Sequence, residues 1–342
     1  MSIIIQNTDS FLQIIKVVFP RKVHKLLEFG FKSLAMQRIA SLNSNARSII
    51  PNTHTAESKM YRLIKNLRFV ELFPKLLVVL KLVQKGDIIA VDFSDFKGIQ
   101  VLMFGKQTKS GRTIPLFFDI IVYPIKKGSQ NIFIINTINE FLKIISPVKV
   151  RLVFDRGFNS PYIIKYLAKI KVIFSIRIKG IKTVIHKGKI RKARDFSQGK
   201  YLVKAYDNKL SLIITAKPMN CHKAKANEPW YIISNDLEST DEQIQETYYY
   251  RFEIEELFRD TKRMFGLEYI NFKILSNFKT ALWFVILGFW LHQYLEEHIV
   301  KAKTVIKKCK SSFNQSITHY WLEQIKFALL HPMLSQIYIK DG

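Results

Sequence analysis

The sequence predicts an α/β fold: a mixed sheet with helices packed on it, preceded by a helical region. Three observations predict it. Up to about residue 85, apolar residues recur at helical spacing between polar breaks. From Asp87 the pattern changes to apolar runs of strand length, several of them continuous. Two such runs, at Asp92 and Asp155, end on an acid.

The helical region opens with Phe11-Leu12, Ile14-Ile15 and Val17-Val18-Phe19 before Pro20. A second helix is expected from about Lys22 to Leu42, stopped by Asn43-Ser44-Asn45. Pro51 to Thr55 then punctuates, and Thr55 can cap a helix with Glu57 in its first turn. That helix spaces Lys59, Arg62, Lys65 and Arg68 three apart, with Met60, Leu63, Ile64 and Leu67 on its apolar side. Residues 1–85 hold fourteen Lys and Arg against four Asp and Glu. Two readings stand level: a solvated basic face, or a helical module that grips DNA.

Asp87 to Asp92, Ile99 to Phe104 and Arg112 to Tyr123 read as three strands, with a hairpin turn over Gly105 to Gly111. Ser129 to Ile145 is helical and stops before Pro147. Val148 to Asp155 is a strand, Pro161 opens a helix to about Lys169, and Lys171 to Ile178 is a further strand. The order βββ-α-β-α-β is that of a ribonuclease-H-like domain. A basic segment follows, with fourteen Lys and Arg against two Asp over residues 177–227, and strands at Thr183–Ile185, Tyr201–Val203 and Leu210–Thr215. Glu228 to Asn235 is another strand. A helix then runs from Asp241, whose acid suits an N-terminus, to Gly266, which suits a C′ position. Ile274 to about Val300 is a second long helix.

The expected organisation is therefore a helical DNA-binding region (1–85), the first part of the catalytic core (86–178), a β-rich basic insertion (179–238), the rest of the core (239–300) and a helical tail (301–342).

Composition narrows the function. Lys and Arg number 54 against 27 acids, giving +27, which implies a polyanion partner, nucleic acid before an anionic membrane. Hydrophobic content of 48% supports a sizeable core and argues against disorder. Cys221 and Cys309 form no zinc or disulfide pattern and fit a reducing cytosol. No signal peptide is read at the start, and the longest apolar run, Ala281–Leu291, is too short to span a membrane.

The helix around Glu255 carries the chemistry. At 100° per residue, Tyr248, Arg251, Glu255 and Lys262 fall within roughly 60° of one another. Ile254, Leu257, Phe258, Thr261 and Phe265 form the neighbouring apolar stripe. If the strands ending on Asp92 and Asp155 are adjacent, both carboxylates emerge at one sheet edge, where Glu255 can join them. Three carboxylates without Cys or His specify hard divalent cations, Mg²⁺ or Mn²⁺. Two such ions suit phosphoryl transfer, and Arg251 and Lys262 flanking Glu255 suit phosphates. Asp95, three residues past Asp92, is the chief rival acid; Asp119, Glu256 and Asp260 lie off the stripe. Cys221-His222 reads as a solvated loop.

Tyr248-x2-Arg251-x3-Glu255-x6-Lys262 resembles the Y-(2)-R-(3)-E-(6)-K signature of the insertion-sequence-four family of bacterial DDE transposases. Val91-Asp92-Phe93-Ser94 is similar to that family's first-aspartate block, and Val153 to Phe158 to its D-R-G-F run. Gly111 to Leu116 and Gly128 to Asn131 also look like runs in relatives, and the likeness covers about residues 50 to 300. The resemblance implies a ribonuclease-H-like fold with a catalytic, metal-binding triad of Asp92, Asp155 and Glu255. It implies DNA contacts from Tyr248, Arg251, Lys262 and Arg156, and a base stacked on Trp230, for which the rival reading is a strand-core residue. Phe252 stands where hairpin-forming relatives often carry Trp; it lies beside the active stripe and is expected near the DNA.

The expected activity is that of a prokaryotic, cytoplasmic, nucleoid-associated transposase using two Mg²⁺ ions. It would cut double-stranded DNA at transposon ends and join the 3′-OH to target DNA, as a homodimer or larger synaptic complex. The alternatives are a catalytically inactive DNA-binding protein of the same fold, and a ribonuclease-H-like nuclease without strand transfer.

Overall fold

A computed structural model of the chain describes residues 3–39, 41–108, 113–122, 128–215, 229–269, 272 and 274–298. The expected hairpin tip, the Cys221-His222 loop and the helical tail lie outside the described residues. The described residues divide into two compact units, one of residues up to Leu82 and from Phe258 onward, the other Val83–Leu257.

The chain begins with α1 (Ile3–Lys16), α2 (His24–Gly30), α3 (Leu42–Arg47), α4 (Thr53–Ile64), α5 (Leu67–Leu72) and α6 (Leu76–Val79). The long second helix expected to Leu42 is instead α2 followed by a π turn at Phe31–Ala35, and α3 starts at Leu42 behind the cap Ser41. Asn52, not Thr55, caps α4: its side chain accepts from the Thr55 amide at 2.9 Å. Asn66 caps α5, so Arg68 belongs to a different helix from Lys59 and Arg62, and the expected basic row is broken.

The second unit holds, among its described residues, one ten-stranded sheet. Its strands are β1 (Ile88–Phe96), β2 (Ile99–Gln107), β3 (Thr113–Val122), β4 (Arg151–Phe154), β5 (Ile173–Ile178), β6 (Thr183–His186), β7 (Lys189–Lys192), β8 (Gly199–Ala205), β9 (Asn208–Ile214) and β10 (Tyr231–Ser234). Their order is β3-β2-β1-β4-β5-β10-β9-β8-β6-β7. The first three pair antiparallel, while β1, β4 and β5 run parallel through α7 (Ser129–Ile145) and α8 (Pro161–Lys169). This is the mixed, ribonuclease-H-like arrangement expected from the strand order. The β-rich segment expected before the Glu helix is present as β6–β10, and it continues the same sheet: β10 pairs with β5 on one side and β9 on the other.

β1 does not stop at Asp92 but continues to Phe96 and turns through Lys97-Gly98, both at positive φ. Asp95 serves that turn, accepting from the Gly98 amide and the Gln100 side chain. Beyond β10, Asp236 is buried. Burial raises its carboxyl, but hydrogen bonds from Ser239 and Arg151 outweigh that and hold it low. Its ion pair with Arg151 of β4 anchors the start of the next helix to the sheet.

That helix is not uniform. α9 (Asp241–Tyr249) opens on a capping box of Thr240 and Gln243, tightens into a 3₁₀ turn at Tyr250–Phe252, and resumes as α10 (Glu253–Arg259). A π turn follows at Asp260–Met264, closed by the Phe265 amide on the Asp260 carbonyl at 3.2 Å.

In the helical unit, α11 (Leu275–His298) is apolar on every side and buried, with Trp283, Phe284 and Leu287 in its middle. A Cβ on its Gly288 would lie 2.4 Å from the Ala35 carbonyl oxygen, and one on Gly30 would lie 2.5 Å from the Phe284 ring. The helices meet that closely only because both residues are glycine. Among the described residues no helix is long and apolar enough to cross a membrane.

Candidate active site

Parallel pairing of β1 and β4 sets the acids. Val91 is in register with Phe154, so Asp92 and Asp155 follow side by side at one level of the sheet. Asp155 leaves β4 and begins a 3₁₀ turn, Arg156–Phe158. An aromatic residue near each acid locks the two segments: Phe93 and Phe158 stack with ring centres 5.6 Å apart and planes 11° from parallel. Both belong to runs singled out in the sequence, but their mutual contact was not foreseen.

Glu255 comes from α10. Ile254 and Leu257 on either side of it are buried, and both pack over Gly105 of β2, where a Cβ would stand 3.3 Å from Leu257 and 3.5 Å from Ile254. This fixes α10 on the sheet and leaves Glu255 two-thirds exposed at its edge.

Arg251 joins the three acids. Its Nη1 lies 3.2 Å from Asp92 Oδ2, its Nη2 3.6 Å from Glu255 Oε1 and its Nε 3.9 Å from Asp155 Oδ1. That Nε is buried and makes no hydrogen bond among the described residues. The guanidinium carbon lies 4.3 Å from the Phe252 ring centre and 6.0 Å from that of Tyr248. Arg251 is 4% exposed.

Asp92 is the most perturbed acid. Burial pushes its carboxyl up to about 6, despite the opposing pull of Arg251 and of the Phe93 amide, which donates to Oδ1 at 2.8 Å. Asp155 and Glu255 add to the upward push.

The other predicted contacts divide. Tyr248 is fully buried in a cluster with Ile213, Trp230, Ile232 and Ile244, so it presents no surface to DNA; burial pushes its hydroxyl up. Arg251 likewise faces the acids, not solvent. The uniform 100° count missed this, because the 3₁₀ turn changes the phase between Tyr248 and Glu255 and the π turn changes it again before Lys262. Lys262, in that π turn, belongs to the helical unit.

Trp230 is 8% exposed. Its ring lies 5.1 Å from Phe252 and 5.8 Å from Tyr248, with the Arg177 guanidinium at 5.7 Å. Phe252 thus bridges the aromatic cluster and the guanidinium. Tyr249, which the sequence reading passed over, stacks 6.5 Å from Trp230 and is 55% exposed, so it is the outer ring of the pile. Its only sequence signal was its place in the run Tyr248-Tyr249-Tyr250. Arg156 is exposed beside Asp155.

The donor chemistry fits a hard divalent cation: three carboxylates face one guanidinium charge, leaving two negative charges in excess. No three acidic, His or Cys side chains of the described residues meet closely enough to hold one ion.

A family model described as "Archaeal putative transposase ISC1217", of the DDE transposases, matches residues 122–300. No curated protein matches the chain in sequence. A solved piggyBac transposase synaptic complex with hairpin DNA is similar at a TM-score of 0.45 and 12% identity, covering 85% of this chain and 61% of that one. The chain thus spans about three fifths of that transposase's length.

Proposed function

This chain belongs to that DDE transposase family, and we propose that it cuts DNA at transposon ends and joins the freed 3′-OH to target DNA. The observation that carries the reading is that Asp92 of β1 and Asp155, just past the end of β4, directly follow the in-register pair Val91 and Phe154 of adjacent parallel strands, with Glu255 tied to both through Arg251. Within the family we propose a nearer kinship to the insertion-sequence-four group, on the Tyr248-Arg251-Glu255-Lys262 spacing.

Asp92, Asp155 and Glu255 would hold two Mg²⁺ ions, or Mn²⁺. Such a pair supplies an activated water or 3′-OH and stabilises the leaving oxygen. The chain's own groups do the rest. Arg156, exposed beside Asp155, would take a backbone phosphate, and Lys262 another. Basic β6–β9 would track the duplex. Tyr248 and Phe252 would act indirectly, by walling in Arg251. Two ends must be brought together, so the working form would be a homodimer or larger synaptic complex.

The test is Glu255→Gln. It should bind terminal-repeat DNA like the unaltered protein and lose divalent-dependent cleavage by roughly 10²-fold or more. Full cleavage by that variant would sink the assignment. Whether cut ends become joined to a target plasmid separates a transposase from a nuclease of the same fold.

A further inference from the structure

The Arg at the second place of the Tyr-Arg-Glu-Lys spacing was expected to reach DNA, but its surroundings suit a different task. Each guanidinium nitrogen lies within 4 Å of a different carboxylate, of Asp92, Asp155 and Glu255. The Phe252 ring covers one side, and residue 251 is 4% exposed. A group so enclosed, with its charge turned to the acids, has no open face for a phosphate, although only Nη1 makes a hydrogen bond, to Asp92, and Nε makes none among the described residues. It is also a fixed positive charge within 4 Å of three carboxylates that would bind a divalent cation.

We propose that Arg251 is a positioning residue, the internal counter-cation of the Asp92–Asp155–Glu255 cluster, and that it opposes divalent-ion binding there instead of contacting DNA. The inference rests on the reading of those acids as metal ligands. Two like charges this close repel strongly at the dielectric of a half-buried site, so the arginine holds divalent affinity below what three carboxylates alone would give. The protein gains a cluster that keeps its geometry on its own. The cost is a weaker site for free ions.

The test compares Arg251→Gln with the unaltered protein in two measurements. Mn²⁺ titration followed by electron paramagnetic resonance should give about tenfold tighter binding by the variant. Binding of a terminal-repeat duplex in EDTA, across a salt series, should give the same affinity and the same salt slope for both proteins. Unchanged or weaker Mn²⁺ binding would overturn the proposal. So would a salt slope reduced by about one, the mark of a lost phosphate contact.

If Arg251→Gln does not fold, Asp92→Asn/Arg251→Gln removes one charge of each sign, and its salt slope is compared with that of Asp92→Asn. Equal slopes support the proposal, and a drop of about one overturns it. If the unaltered protein shows no preference for the terminal repeat over a random duplex, the transposase reading fails. The Mn²⁺ titration still decides the role of Arg251.

Discussion

The two halves of the sheet are built to opposite rules. In β3-β2-β1-β4-β5 the strands are apolar and largely buried, and Asp92 breaks the apolar run of β1 as Asp155 ends that of β4. In β10-β9-β8-β6-β7 the apolar content fades toward the edge. Residues 179–215 carry ten Lys and Arg against two Asp, and all four residues of β7 are exposed. In the first half the half-buried carboxylate Asp92 is perturbed by its surroundings, whereas a lysine in the second half meets mostly water. Under the proposed function, the difference would make chemistry and affinity separable in this molecule. Burial tunes a few groups, and exposed charge adds up over many.

The strongest way to break that division is to cross it. Asp155→Asn should cost roughly 10²-fold or more in single-turnover cleavage, the scale of losing one electrostatic stabiliser of a transition state, with duplex affinity in EDTA unchanged. Lys187→Gln/Lys189→Gln/Lys192→Gln, around the exposed turn of the β6–β7 hairpin, should do the reverse. Each lost phosphate contact lowers the salt slope by about one, so the triple variant should lose about three, while cleavage at saturating protein stays within about twofold. Cleavage lost in the lysine variant at saturation would mean that the halves are coupled.

The same division explains what the sequence could tell. Parallel buried strands read as apolar runs, so the closeness of Asp92 and Asp155 was legible from two apolar runs that each reach an acid, given that the two strands are neighbours. The helix Ser129–Ile145 was bounded by Gly128 and Pro147 and lies where it was read. Residues on the exposed half give no such signal: β7, Lys-Ile-Arg-Lys, has no apolar alternation to mark it as a strand. The continuation of β1 through Phe93-Ser94-Asp95-Phe96 was hidden because two polar residues interrupt the run. Around Glu255 the spacing picked out Tyr248, Arg251 and Glu255, which do lie together, but not their directions. A count at constant pitch cannot contain a 3₁₀ turn, and a charged side chain reads as solvent-facing unless its buried partners are known. Arg251 and Tyr248 face inward for that reason.

Between the halves lies the aromatic pile, where Trp230 is enclosed and Tyr249 exposed. If unpaired bases stack here, Tyr249→Ala should weaken end binding by roughly 1–3 kcal/mol and change folding stability by less than about 0.5 kcal/mol. Trp230→Ala should instead cost about 3–5 kcal/mol of stability, as removal of a core aromatic does. Binding measurements paired with urea denaturation separate the two. An unaltered affinity in Tyr249→Ala would leave the pile a purely structural joint.

The smallest expected effect reports the burial of Asp92 directly. Its carboxyl titrates at about 6 in the folded protein, whereas an unfolded aspartate titrates near 3.9. Between those values the folded protein binds a proton that the unfolded chain does not, so stability must rise as pH falls through about 6. The sign is opposite to that of an aspartate held ionised by a salt bridge, because here desolvation outweighs the pull of Arg251. From pH 7 to pH 5, with EDTA present, the protein should gain about 1 kcal/mol relative to Asp92→Asn, whose amide cannot titrate. Urea denaturation of both proteins at the two pH values measures the difference. If it stays constant, or moves the other way, Arg251 holds Asp92 ionised through this range, and the carboxylate cluster is governed by its ion pairs more than by its burial.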